Sequence, residues 1–351
     1  MICSRSPAWN TAVSLTIPWL GRRLRQSGTA LGFGGLALLL IGALLFNAIT
    51  NVRVVQADMV YKRARPFDNQ GGSEGNSDAW NVAIAIYERA LEMVPKEDFY
   101  YLFLGRAYLE NSTVTADPAA REVLLADAET RLLQAQAINP LNTDHTANLA
   151  RLNTRWYQLD SNAATQPLRL ERARDYYQTA LMLSPQNSIV RNEYAFLALE
   201  LDKDCDEALA IYQQSAEIDP FYASTYFSLA DTYVSCAPDS GEERTTAYQS
   251  AADALELGLA RDGSNPRAWA QAGQIYQQIG RPTDAVAAYE EAMNRDRKGE
   301  LPAWNMNYLL ATAYAETGDK VQARELGELA RSLAPEAVLP EIEQFLASIG
   351  N

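Results

Sequence analysis

The chain has only three cysteines, Cys3, Cys205 and Cys236, and a single histidine, His145. No C-x-x-C pair and no Cys/His cluster occurs, which argues against a zinc or iron–sulfur site. There is no G-x-S-x-G, no phosphate loop and no H-E-x-x-H, and no nucleophile motif stands beside His145. A lone histidine at the start of a predicted helix is expected to be structural rather than catalytic. The acidic string DKDCDE at 202–207 lacks the glycine and distal glutamate of an EF-hand loop, so it reads as an exposed acidic turn. No catalytic residue, metal or cofactor is expected. Runs of β-branched residues are also scarce, which disfavours sheet and points to an all-α chain.

Positive charge is scarce beyond the N-terminal region. Residues 1–65 hold eight Arg and Lys against Asp58 alone, so with a net charge of −14 the remainder carries about −21. So acidic a body argues against nucleic acid as a partner and against lying flat on an anionic membrane.

What the chain does have is 351 residues with 48% hydrophobic content, enough for a long packed array. Between Arg25 and Arg53 lie 27 uncharged residues, and 29–50 form the apolar heart. Twenty-two residues at 1.5 Å rise cover roughly 30 Å, the thickness of a bilayer's hydrocarbon core. One transmembrane helix is expected at 29–50, preceded by a basic segment at 1–28. Cleavage after Ala57 is the alternative, although a signal peptide's apolar region is shorter and starts earlier. Four basic residues flank each side of the span, so their count does not orient it. The cluster Arg22, Arg23 and Arg25 sits closest to the membrane and favours an N-terminus inside with the acidic body outside. Gly28, Gly32 and Gly35 share one face, which leaves self-association through the span open beside the plainer reading of ordinary membrane glycines.

The body has a metre. Pro95, Pro140, Pro185, Pro220 and Pro335 each follow an apolar helical pattern, and small residues recur seven apart before them. The pairs are Ala83/Ala90, Ala128/Ala135, Ala173/Ala180, Ala208/Ser215 and Ala323/Ala330. Seven residues is two helical turns, so each pair lies on one face and admits a close neighbour. The best unit, 267–297, sets Trp269, Ala272, Gly273 and Tyr276 before Gly280, Ala285, Tyr289 and Ala292. This resembles the tetratricopeptide repeat, W-x2-L-G-x2-Y followed by A-x3-F and P within about 34 residues. Ala272 replaces Leu, Tyr289 replaces Phe, and Arg297 stands where proline is usual.

The resemblance implies a right-handed solenoid of about seven helix pairs over 52–349. The pairs fall at 52–94, 98–139, 143–184, 188–219, 223–262, 267–297 and 303–334, with a capping helix at 336–349. The first pair is expected to be interrupted by a Gly/Ser/Asn loop (DNQGGSEGNS, 68–77). Pairs two and three should carry longer second helices, each opened by a proline, Pro118 or Pro167. Pair five is the least regular, with Asp253 and Gly258 near positions expected to hold alanine and a bulky residue.

In such arrays the first helices line a concave groove. By register that groove is expected to display Arg106, Asn148, Arg151, Arg155, Asn192 and Gln274, with the three arginines forming a basic island for a carboxylate or phosphate-bearing ligand. The paired lysines of the chaperone-type carboxylate clamp are absent. Cys205 and Cys236 fall in equivalent turns of neighbouring repeats; either both are free thiols or, outside the cytoplasm, they are a disulfide. The sequon at Asn111 would matter only in a glycosylating host. The implied function is a membrane-anchored scaffold that binds a protein or extended peptide. From about residue 20 the chain also resembles the C-terminal tails of bacterial O-antigen ligase or polymerase-like membrane proteins, through stretches such as NVRVVQADMVYKRA and EDFYYLFLGRAYLE. That resemblance implies a tail assisting surface-polysaccharide assembly, without the many membrane helices that would catalyse it.

Overall fold

The computed structural model describes residues 27–159 and 165–350, and every secondary-structure element among them is helical. The expected basic segment at 1–28, with its arginine cluster, falls almost wholly outside the described residues. The chain divides into two compact units, one ending at Tyr100 and the other beginning at Tyr101.

The first unit is built on α1 (Ser27–Lys62), α2 (Arg65–Glu74) and α3 (Ser77–Met93), and includes the opening residues of α4 (Asp98–Val114). Helix α1 is a single run of 36 residues. Its side chains from Gly34 to Ile49 are exposed, Leu38, Leu39 and Phe46 among the most. One helix, apolar over an 18-residue window, is therefore long enough to cross a bilayer. Near its C-terminal end α1 changes character: Ala57 and Tyr61 are buried, as is Ala64 just beyond it. The ring of Tyr61 lies 5.0–5.6 Å, centroid to centroid, from those of Phe99, Tyr87 and Tyr100.

The loop expected at 68–77 is for the most part a helix. Pro66 sits in the first turn of α2 and Asp68 faces the positive end of its dipole. Two glycines would ordinarily weaken such a helix. Here Gly71 is where the Trp80 ring packs, and a Cβ would stand 2.7 Å from that ring. The Tyr87 hydroxyl donates to Asp68, tying α2 to α3. Tertiary packing overrides propensity, and the helix stops at Gly75 in the left-handed region, φ 62°.

The second unit continues through α5 (Pro118–Ile138), α6 (Thr143–Leu159), α7 (Gln166–Leu183), α8 (Ser188–Leu197), α9 (Cys205–Ile218), α10 (Ala223–Ser235) and α11 (Glu242–Arg261). It closes with α12 (Pro266–Gln278), α13 (Pro282–Arg295), α14 (Ala303–Thr317), α15 (Lys320–Leu333) and α16 (Leu339–Ser348). From α6 onward, successive helices pack on one another in chain order. The small residues of the sequence metre are the contact points. Ala128, Ala135, Ala173, Ala180, Ala208, Ser215, Ala285, Ala292, Ala323 and Ala330 are all fully buried. Helices α5 and α7 run to 21 and 18 residues against 14 for α9 and α13, with Pro118 and Pro167 in their first turns. Ile342 and Leu346 of α16 cover Ala323 and Ala330.

Two local differences from expectation have physical causes. In α11 the small pair is Ala251/Gly258, again seven apart. A Cβ at Gly258 would meet the Phe227 ring at 2.6 Å, so glycine is the small residue of this repeat and the repeat is kept in a register shifted from the expected one. After α8 the chain makes one π-helical turn, Ala198–Asp202, and then reverses through Lys203 at φ 57°. Nothing in its composition signals that turn.

Candidate functional site

Helices α4, α6, α8 and α10 are the first helices of successive pairs, and their side chains meet at two adjoining clefts of about 500 Å³ each. Helix α6 is the shared wall. It is buried along most of its length, with Leu149, Ala150, Leu152 and Asn153 enclosed. The Trp156 Nε1–H donates to Glu122 Oε2 at 3.0 Å and the Arg169 guanidinium stacks over the Trp156 ring at 3.3 Å. Anchored this way, α6 turns Arg151 and Arg155 toward the clefts.

The first cleft is lined by Arg106, Leu109 and Glu110 of α4, Arg151 and Arg155 of α6, and Glu193 of α8. Arg151 donates through Nε and Nη2 to both Glu193 oxygens at 2.9–3.0 Å, a bidentate pair with both side chains about one-third exposed. Glu193 was not among the expected groove residues, and its presence corrects the basic island. Arg151 is neutralised within the chain, leaving Arg106 and Arg155 as the cations facing the cleft. Arg155 is exposed and its Nη1 donates to Gln158 Oε1 at 3.1 Å. Arg106 is exposed, with its guanidinium 5.5 Å from the Phe103 ring.

The second cleft shares Arg151, Arg155 and Glu193 with the first and adds an apolar wall of Ile189, Phe196, Tyr177, Tyr212 and Tyr222. Ile189 and Phe196 are 52% and 43% exposed, high for side chains of that size. Tyr177 and Tyr212 are almost wholly buried. Burial pushes the Tyr212 phenol up to about 12 and raises that of Tyr177 as well, the charge of Glu193 adding to the latter. Both phenols therefore stay protonated donors at neutral pH. Asn192 donates through Nδ2 to Thr225 Oγ1 at 2.9 Å, while its Oδ1 is shielded from solvent without a partner. The aromatic wall was invisible in the sequence because it comes from three repeats, α7, α8–α9 and α10, whose alignment on one face only the fold decides.

The remaining expected residues divide. Asn148 borders the first cleft but is buried, its Nδ2 donating to Asp144 O at 2.7 Å within its own helix. Gln274 is exposed on α12 beside a separate pocket with Gln271, Gln278, Arg244 and Tyr248. Gln271 donates to Asp231, whose carboxyl is raised by burial, with that hydrogen bond working against the shift. His145 is fully buried, and Asn111 is 1% exposed, so the folded chain closes the sequon to glycan addition. The acidic string is used locally: Asp202 pairs with Arg174 at 2.6 Å and Asp204 caps α9 through Glu207 N at 2.9 Å. Cys205 and Cys236 are paired as a disulfide with Cα atoms 5.9 Å apart. Among the described residues no group of three or more His, Cys, Asp or Glu is arranged to hold a metal ion.

Residues 270–338 match the tetratricopeptide repeat family. No curated protein matches the sequence. Among solved structures the chain is similar to PilF of Pseudomonas aeruginosa, with 18% identity, TM-score 0.51 and coverage of 72% of this chain and 97% of that one. It is also similar to a tetratricopeptide repeat protein from Parabacteroides merdae, at 14% identity and TM-score 0.44, covering 84% of this chain and 99% of that one. A third similar structure is YrrB, described as having an unusual peptide-binding site, at 16% identity and TM-score 0.46 over 61% of this chain and 97% of that one. None of these matches is to a catalytic family. The paired helices, their buried small residues and the PilF likeness agree: residues 270–338 carry the tetratricopeptide repeat, and the chain has a tetratricopeptide-repeat fold.

Proposed function

We propose that this protein is a membrane-anchored scaffold that binds a protein or extended peptide along the face formed by the first helices of its second unit. The observation that carries the reading is the pair of adjoining clefts between α4 and α10, where exposed Arg155, Phe196 and Ile189 stand beside the shielded acceptor of Asn192. Exposed large apolar side chains rimmed by hydrogen-bonding groups are the mark of an interaction site. The apolar length of α1 supports attachment to a membrane through 29–50, and the disulfide between Cys205 and Cys236 supports a body on its oxidising side.

Site-specific photo-crosslinking in native membranes tests this. A photoreactive residue at Phe196 is expected to capture a discrete partner. The same residue at Met182, exposed on the second helix α7, is expected to capture none. Equal capture from both positions, or none from Phe196, would sink the proposal. The O-antigen ligase resemblance supplies the rival: a much larger species containing this sequence in those membranes would favour a polysaccharide-assembly tail.

A further inference from the structure

We infer that the occupant of the two clefts is an extended peptide segment carrying an acidic side chain next to an aromatic or large aliphatic one. This rests on the scaffold reading and narrows it to a ligand chemistry.

The argument begins with how the chain uses its arginines. Arg169, Arg172, Arg174, Arg267, Arg281 and Arg295 each pair with a carboxylate of the chain. Arg121, Arg191, Arg244 and Arg261 donate to backbone carbonyls. Arg106 and Arg155 do neither among the described residues, as is also true of Arg131, whose partner is Gln134; what sets them apart is that they are exposed and both line the first cleft. Their neighbour Arg151 is taken by Glu193. Of the carboxylates in that lining, Glu193 is taken by Arg151 and Glu110 pairs with neither Arg106 nor Arg155, so two planar cations on one cleft complement a carboxylate of a ligand.

Arg155 lines the second cleft too, so the place for a carboxylate is contiguous with the apolar wall. There Phe196 and Ile189 offer surface to an apolar side chain, and its burial is the term that holds the segment in place. Asn192 Oδ1, shielded and unpartnered, suits a backbone N–H of the same segment. The electrostatic expectation runs against the whole. A chain of net charge −14 draws basic ligands by its long-range field, so a preference for acidic peptide can arise only from local contacts.

The test is a selection from a random peptide display library on the full chain held in lipid nanodiscs, followed by affinity measurements on the enriched sequences. Enrichment of acidic residues beside Phe, Tyr, Trp or Leu supports the inference. Replacing the selected acid by lysine is then expected to weaken binding roughly tenfold, the scale of a charge-assisted contact. The charge-reversed Arg106→Glu/Arg155→Glu variant, altered only at exposed positions, is expected to lose the acidic sequences and accept their lysine counterparts. Phe196→Ala should weaken binding while leaving the preference for acid intact. Enrichment of basic or neutral sequences that compete for the clefts would overturn the inference and leave the scaffold reading standing. No enrichment at all would overturn both.

Discussion

Gly273 shows how one residue can be fixed by its neighbour. A Cβ there would stand 2.4 Å from the Tyr289 ring. That ring is fully buried and its hydroxyl donates to Gln277 Oε1 at 2.7 Å, so it has nowhere to move. Alanine would gain up to about 1 kcal/mol of helix propensity. Overpacking against a pinned ring costs about 1–3 kcal/mol. Gly273→Ala is therefore expected to destabilise the protein, and chemical denaturation should show a lower midpoint; an unchanged or raised midpoint would show that the ring yields. Gly273 was legible in the sequence as part of a metre. The Arg151–Glu193 pair was not, because its members are 42 residues apart and meet only when α6 lies beside α8.

Among the elements, the hairpin of α9 and α10 is distinctive. Its ends are joined by Cys205–Cys236, and it carries Tyr212 and Tyr222 into the apolar cleft. Closing a loop of 31 residues removes about 3–4 kcal/mol of denatured-chain entropy in the chain-entropy model. Cys205→Ser is expected to lower the denaturation midpoint and to speed amide exchange most in α9 and α10. Intact mass of freshly alkylated protein checks the bond itself: reduction should add two hydrogens, whereas immediate alkylation of both cysteines would exclude it. The sequence placed the two cysteines in equivalent turns but left their separation open, since turn-to-turn distance is a property of stacking. The π turn before Cys205 and the helix α2 at Arg65–Glu74 escaped for a related reason. Nothing in the composition of the π turn signals it, and in α2 the packing of Trp80 against Gly71 supplies what the propensity of its glycines withholds.

At the scale of the whole molecule, attachment to the bilayer is the property to test. Residues 29–50 are expected to hold the chain in membranes through an alkaline carbonate wash. Arginine at the centre of a span costs about 2.5–3.5 kcal/mol per residue on insertion scales. The double change Leu39→Arg and Leu44→Arg is therefore expected to move the protein into the soluble fraction. Release of the unaltered chain by carbonate would instead point to a peripheral or cleaved form.

The sequence by itself determined the repeat. Helical periodicity, the seven-residue spacing of small side chains and the prolines after five of the seven second helices are local signals, and the buried alanines stand where that spacing put them. It also marked the stretch whose length and lack of charge would let a helix cross a bilayer, and α1 is such a helix. It singled out Arg106, Arg151 and Arg155, since position along a helix fixes which face a residue occupies. Only the tertiary structure decided what those faces meet. Whether a cation on that face finds a carboxylate depends on which side chain the next helix brings opposite it, and so Arg151 is spent on Glu193 while Arg106 and Arg155 line the cleft without such a pair.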